Sequence, residues 1–108
     1  MATLAAAPDG LPGRPLRTGV EICRLYGDGP AGPGAALLRY AAGGTIPAHA
    51  HLGFEQILIL SGSQADERGS YGPGTLIVNP PGSSHAVTSP EGCVVLVTWE
   101  RGTSLATT

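Results

Sequence analysis

The sequence predicts an all-β fold, a small single-domain sandwich or barrel, and three observations carry that reading. Its 17 glycines and 10 prolines make up a quarter of the 108 residues, so turn signals punctuate the whole chain. The longest run free of both, residues 93–101, spans only nine positions and reads Cys-Val-Val-Leu-Val-Thr-Trp-Glu-Arg. An average helix needs roughly 11–12 residues, and this composition of β-branched and aromatic side chains suits a strand instead. Between the turn signals, short apolar stretches recur at a spacing of roughly 8–12 residues, as in sandwiches and barrels.

Eight strands follow in order. Residues 20–26 and 35–42 flank a loop, 27–34, made mostly of Gly, Pro and Ala. Residues 48–51 form a short strand that carries two histidines, and 54–60 follow. Ser61-Gly62-Ser63 turns that strand into residues 64–67. Residues 75–79 end at Pro80-Pro81-Gly82, residues 85–89 come next, and Pro90-Glu91-Gly92 turns them into 93–100. Residues 16–101 thus make the barrel. Residues 1–15 and 102–108 read as a loose N-terminal segment and a tail, although the first could add a strand to a sheet edge.

Composition excludes several function classes. A net charge of −2 with no cluster of Lys or Arg argues against a nucleic-acid surface. The chain has no lysine, which removes Schiff-base chemistry and a phosphate-loop lysine. No apolar run approaches the ~18 residues of a membrane span. The first 15 residues lack the basic start and apolar centre of a signal peptide, so a cytoplasmic location is expected. Cys23 and Cys93 stand 70 positions apart, without metal or redox spacing, and are read as two buried small hydrophobes.

The three histidines of the chain fall into one pattern: Gly43-x5-His49-x-His51-x3-Glu55-x6-Gly62, then Gly74-x5-Pro80-x-Gly82-x2-His85. Three imidazoles and a carboxylate are a suitable donor set for one first-row divalent ion. In a strand, residues i and i+2 share a face, so His49 and His51 can meet the same ion. Glu55 cannot join them on a straight strand, because four extended residues cover ~13 Å. A bend at Leu52-Gly53 is expected to bring it back, with Gly53 tolerating a positive φ. His85 arrives after the rigid 80–84 turn. Glu55 is read as the fourth ligand, the alternative being an acceptor behind the ligands or a general base. Asp66 and Glu67, beside a hairpin turn, are read as a solvated surface pair. Tyr40 and Tyr71 are read as packing residues, and Trp99 and Phe54 as lining or closing the barrel.

These residues resemble the two motifs of the cupin superfamily. The first matches at Gly43, His49, His51, Glu55 and Gly62, and the second at Gly74, Pro80, Gly82 and His85. Ser89 stands where the family usually has Asn, a departure that touches no ligand. The 11 residues between the motifs, 63–73, imply a minimal jelly-roll barrel. More narrowly, Glu55-Gln56-Ile57-Leu58, Ala65-Asp66-Glu67, Tyr71-Gly72-Pro73-Gly74-Thr75, Asn79-Pro80-Pro81-Gly82-Ser83-Ser84-His85 and Glu91-Gly92-Cys93 are similar to the cupin domain of ChrR-type anti-sigma factors. That resemblance spans roughly residues 35–100 and implies zinc at His49, His51, Glu55 and His85. Diketone-cleaving dioxygenases, with iron on three histidines, belong to the same neighbourhood. ChrR-type proteins hold their sigma factor through an N-terminal helical domain with its own zinc ligands. These 108 residues do not supply that domain, so sigma-factor binding is not expected of them.

The expectation is therefore a metal-binding module that binds or senses a small molecule. Zinc is the first choice of ion, with iron, manganese or nickel as alternatives. A mononuclear-metal dioxygenase or isomerase acting on a small carbonyl compound is the competing reading. The low charge of residues 20–38 leaves a sheet edge unguarded, and with the pairing habit of cupins it points to a homodimer.

Overall fold

The computed structural model describes residues 13–27 and 31–104. It contains ten strands: β1 (Arg14–Arg17), β2 (Val20–Gly27), β3 (Gly34–Tyr40), β4 (Gly44–Ala50), β5 (Glu55–Gly62), β6 (Gln64–Asp66), β7 (Gly69–Tyr71), β8 (Leu76–Asn79), β9 (Ser84–Ser89) and β10 (Cys93–Trp99). No helix occurs among the described residues. The strands form a six-stranded sheet, β1-β2-β3-β10-β5-β8, facing a four-stranded sheet, β4-β9-β6-β7. Neighbouring strands in both sheets run antiparallel. This is a jelly-roll barrel.

The core is built from period-2 alternation. Along β5, Glu55, Ile57 and Ile59 are buried while Gln56 and Leu60 are exposed. Ile57 and Ile59 join Val95 and Val97 of β10, Ala36 and Tyr40 of β3, Val20 of β2 and Val87 of β9 in one cluster. Burying each Val or Ile side chain is worth about 1.5–3 kcal/mol. Glu55 sits one pleat beyond Ile57, so the strand that anchors the core also delivers the carboxylate to one end of the barrel.

The eight expected strands all have counterparts, and two more appear. β1 begins at Arg14, inside the segment read as loose; the remainder of that segment, 1–12, lies outside the described residues, as do 28–30 and 105–108. Pro15 obscures β1 in the sequence, yet β1 is a sheet edge, where a missing N–H is tolerated. β7 is hidden by its Gly-Ser-Tyr composition and pairs with β6 as a three-residue hairpin arm. β4 begins four residues earlier than expected. Pro47 is accommodated because β4 is also an edge, and the ladder to β9 shifts register between Ile46 and His49. Gly102–Ser104 are held rather than loose: Leu52 N donates to Gly102 O, Ser104 N donates to Ala50 O, and His51 bridges Thr103.

Candidate metal centre

His49 and His85 are direct cross-strand partners on β4 and β9, which puts their side chains in contact on the inner face. His51 follows β4 and is clamped on both sides. Its N–H donates to Ser83 O and its carbonyl accepts from Gly82 N, while Thr103 bridges it from the other side. Gly82 makes that turn at φ 85°, a conformation that side-chain-bearing residues rarely adopt. The three rings stand edge to face, with centroids 4.7–5.1 Å apart. One ligand atom from each lies within 4.8 Å of the others, and all three residues are buried.

The expected bend at Leu52-Gly53 is present, for a different reason. Gly53 does not take a positive φ. A side chain there would press on the Arg101 backbone and Cβ at 3.1 Å, so Gly53 permits a close approach to the C-terminal segment. The bend brings Glu55 Oε1 to 3.0 Å from His51 Nε2. Glu55 is not one of the three-residue group, and Asn79, its cross-strand partner on β8, donates to the same oxygen at 3.1 Å.

Each imidazole turns Nδ1 to an acceptor on the protein and Nε2 toward the other residues of the site. His49 Nδ1 donates to Pro47 O at 2.8 Å. His51 Nδ1 faces Ser83 O at 3.1 Å and Ser83 Oγ at 3.0 Å, and that hydroxyl gives its own proton to Pro80 O. His85 Nδ1 donates to the Asp66 carboxylate at 3.3 Å. Every acceptor therefore fixes the proton on Nδ1, so the three Nε2 atoms carry lone pairs. Two of those lone pairs face each other and the third faces the Glu55 carboxylate. His49 Nε2 and His85 Nε2 are 3.1 Å apart, and His51 Nε2 is buried beside Glu55 without an aligned hydrogen bond. Two donors each ~2.1 Å from one ion, at about 90–109°, are ~3.0–3.4 Å apart. The donor set and its spacing fit a divalent ion.

Electrostatics agree with that arrangement. Burial lowers the His85 pKa and the neighbouring His49 lowers it further, against the pull of Asp66 and Glu55, which favours the neutral ring. Burial alone would raise the Glu55 carboxyl, but the neighbouring His51 and His85 rings and the hydrogen bond from Asn79 hold it below its ordinary value. Tyr40 is driven far upward by burial, by Cys93 and by Glu55, and cannot serve as a base near neutral pH. Phe54 is 47% exposed and lines a surface cleft with Trp99, which also packs on the core and donates to Gly32 O. Cys93 is buried as expected; Cys23 is only half-buried, on the outward face of β2.

Of the acidic pair expected at the surface, Glu67 is exposed and Asp66 is not. The Asp66 side chain is 1% exposed and faces His85. Glu67 is exposed but accepts from the Ala86 N–H at 3.0–3.1 Å. Both acids bind β9 rather than solvent alone. Gln64, also missed, is wholly buried on the inner side of β6, with neither amide atom partnered. Ser89, in the position usual for Asn, donates to Ser63 O at 2.6 Å and ties β9 to the β5–β6 turn.

A two-sheet antiparallel barrel with three histidines converging at one end defines a cupin. Residues 2–102 match the ChrR cupin-like domain, and the chain belongs to that family. Among solved structures, ChrR of Rhodobacter sphaeroides, crystallised with SigE, is 26% identical with a TM-score of 0.75. The match covers 85% of this chain and 50% of ChrR, so this chain spans half the length of that relative. An acetylacetone dioxygenase from Acinetobacter johnsonii (13% identity, TM-score 0.76) is matched over 93% of this chain and 74% of its own. The polyketide cyclase RemF from Streptomyces resistomycificus (19%, TM-score 0.74) is matched over 95% and 82%. These two share the fold. No curated protein matches the sequence.

Proposed function

We propose that this chain is a metal-binding cupin that holds one divalent ion through His49, His51 and His85, with Glu55 as fourth ligand, and binds or senses a small molecule there. The observation that carries the reading is the buried cluster of three imidazoles, each with Nδ1 turned to an acceptor on the protein, the Nε2 atoms of His49 and His85 3.1 Å apart and His51 Nε2 beside Glu55. Uncompensated, lone pairs facing one another in a buried site are costly. A cation between them removes the cost. Zinc is the first choice, since it accepts N and O donors in a closed four-ligand set. The chain's own work is to orient: the 80–84 turn fixes His51, Pro47 fixes His49 and Asn79 fixes Glu55. A bound ion would supply a Lewis-acid centre. Gln64, with its amide unpartnered on the inner face, supports a polar small-molecule ligand inside the barrel. Sigma-factor binding is not part of the proposal for these residues.

The competing reading is a mononuclear-metal dioxygenase or isomerase acting on a small carbonyl compound. Glu55 favours it, because it stands outside the three-histidine group and is engaged by Asn79. Three imidazoles alone leave open positions on iron, manganese or nickel. An oxygen-electrode trace with a 1,3-diketone separates the two. The binding reading expects no uptake with apo, zinc-loaded or iron(II)-loaded protein; fast, iron-dependent uptake would replace it with the enzyme.

We also propose that two copies pair through the outer face of the six-stranded sheet. Support comes from an outward row in which Leu76 of β8, Leu58 of β5 and Leu96 of β10 are cross-strand neighbours. Leu76 and Val78 on the edge strand are 57% and 50% exposed.

A further inference from the structure

We infer that Asp66 is a positioning residue for the metal site, acting through the His85 ring from a hairpin arm that is not itself part of the donor set. The inference rests on the metal reading above and goes beyond it by assigning a residue that does not touch the ion.

The β6–β7 arm has a thin backbone connection to the rest of its sheet: Ala65 opposite Thr88 is the only Cα pairing between β6 and β9. Side chains at the end of the arm add to that ladder. Glu67 takes the Ala86 N–H with both carboxylate oxygens, anchoring the turn to the β9 backbone one residue past His85. Asp66 has a different task. Its Oδ1 accepts from the Arg68 backbone N–H at 2.9 Å and from the Tyr71 hydroxyl at 3.2 Å. Its Oδ2 is turned to His85 Nδ1 at 3.3 Å, with the Arg68 guanidinium 3.9 Å away on the outer side. A carboxylate pinned on one oxygen and presenting the other to an imidazole fixes two things about that ring. It selects the Nδ1–H tautomer, so Nε2 is the free donor, and it sets the ring's orientation. Its negative charge also makes Nε2 a better base toward a cation. His49 and His51 receive only neutral acceptors, Pro47 O and the Ser83 carbonyl and hydroxyl. His85 is therefore the imidazole with charge behind it.

The alternative is that Asp66 merely docks the arm. Glu67 provides the control, because it docks the same arm without touching an imidazole. Zinc affinity is measured by competition with a chromophoric chelator on the full chain, alongside the absorption spectrum of the cobalt(II) form and the thermal midpoint of the metal-free form. D66A is expected to weaken zinc binding by about 10–100-fold and to alter the cobalt spectrum. D66N, whose carbonyl still accepts from Nδ1–H, should fall between D66A and the wild type. E67A should lower the thermal midpoint yet keep zinc affinity within about threefold of the wild type. Equal loss of affinity in D66A and E67A would overturn the inference in favour of simple docking. So would a D66A affinity within twofold of the wild type. If D66A does not fold, D66N decides: wild-type affinity and an unchanged cobalt spectrum would remove the role of the charge and overturn the inference. A wild type that binds neither zinc nor cobalt would instead overturn the metal reading itself.

Discussion

Replacing Gln64 with Met should make the metal-free, ligand-free protein more stable. Gln64 is wholly buried in β6, and neither Nε2 nor Oε1 has a partner. A buried polar group left without a hydrogen bond costs about 1–3 kcal/mol. Met has the same unbranched shape and adapts to irregular space, so the exchange removes that penalty with little new strain. A net gain of about 1–2 kcal/mol follows, since some repacking cost is subtracted. For a domain of this size that is a rise of roughly 4–10 °C in Tm. Urea denaturation of wild type and Q64M, both stripped of metal with chelator, reads the difference directly. The m-value should stay constant, so that the change in midpoint is a change in stability. A loss of 1 kcal/mol or more would refute the reasoning, because it would mean that the amide is satisfied inside the folded barrel. A gain would mark Gln64 as a polar group kept at a cost in stability, as expected of a ligand-facing residue.

Two further outcomes are expected. The metal-free protein should lose stability on acidification: His85 has a folded-state pKa below its ordinary 6.5, so its contribution is complete above pH 6.5 and is lost as pH falls below that value. Glu55, held below its ordinary 4.5, adds a loss in the same direction as pH falls below that value; a midpoint independent of pH between about 7 and 4 would contradict the His85 expectation. Sedimentation at micromolar concentration should show a dimer, and L76E/V78E, at the exposed edge strand, should dissociate it; a wild type sedimenting only as a species of 10.9 kDa would end the pairing proposal.

How much of the site could be read from the sequence depends on how local each relationship is. His49 and His51 are neighbours on one strand, and the Pro-Gly turn before His85 announces a strand start, so their convergence follows from spacing and turn chemistry. Gly and Pro likewise exclude long helices without reference to any contact. Asp66 is different. Its place beside His85 depends on the pairing of Ala65 with Thr88, a register that neither segment declares by itself. An acidic pair after a short apolar strand looks the same whether it faces water or an imidazole. β1 and β7 were hidden by proline and glycine, which mark turns in the middle of a sheet but are tolerated at an edge or in a short hairpin. Gly53 was recognised as a bend for the wrong reason, since the close approach of Arg101 comes from a segment 48 residues away.

The histidine cluster is proposed to surround one cation. This is tested most directly by metal analysis of protein purified without an affinity tag, comparing wild type with H85A and H49A. The wild type should carry roughly one divalent ion per chain and either variant a small fraction of that, with the fold retained by circular dichroism. A full complement of metal in H85A would contradict the proposal.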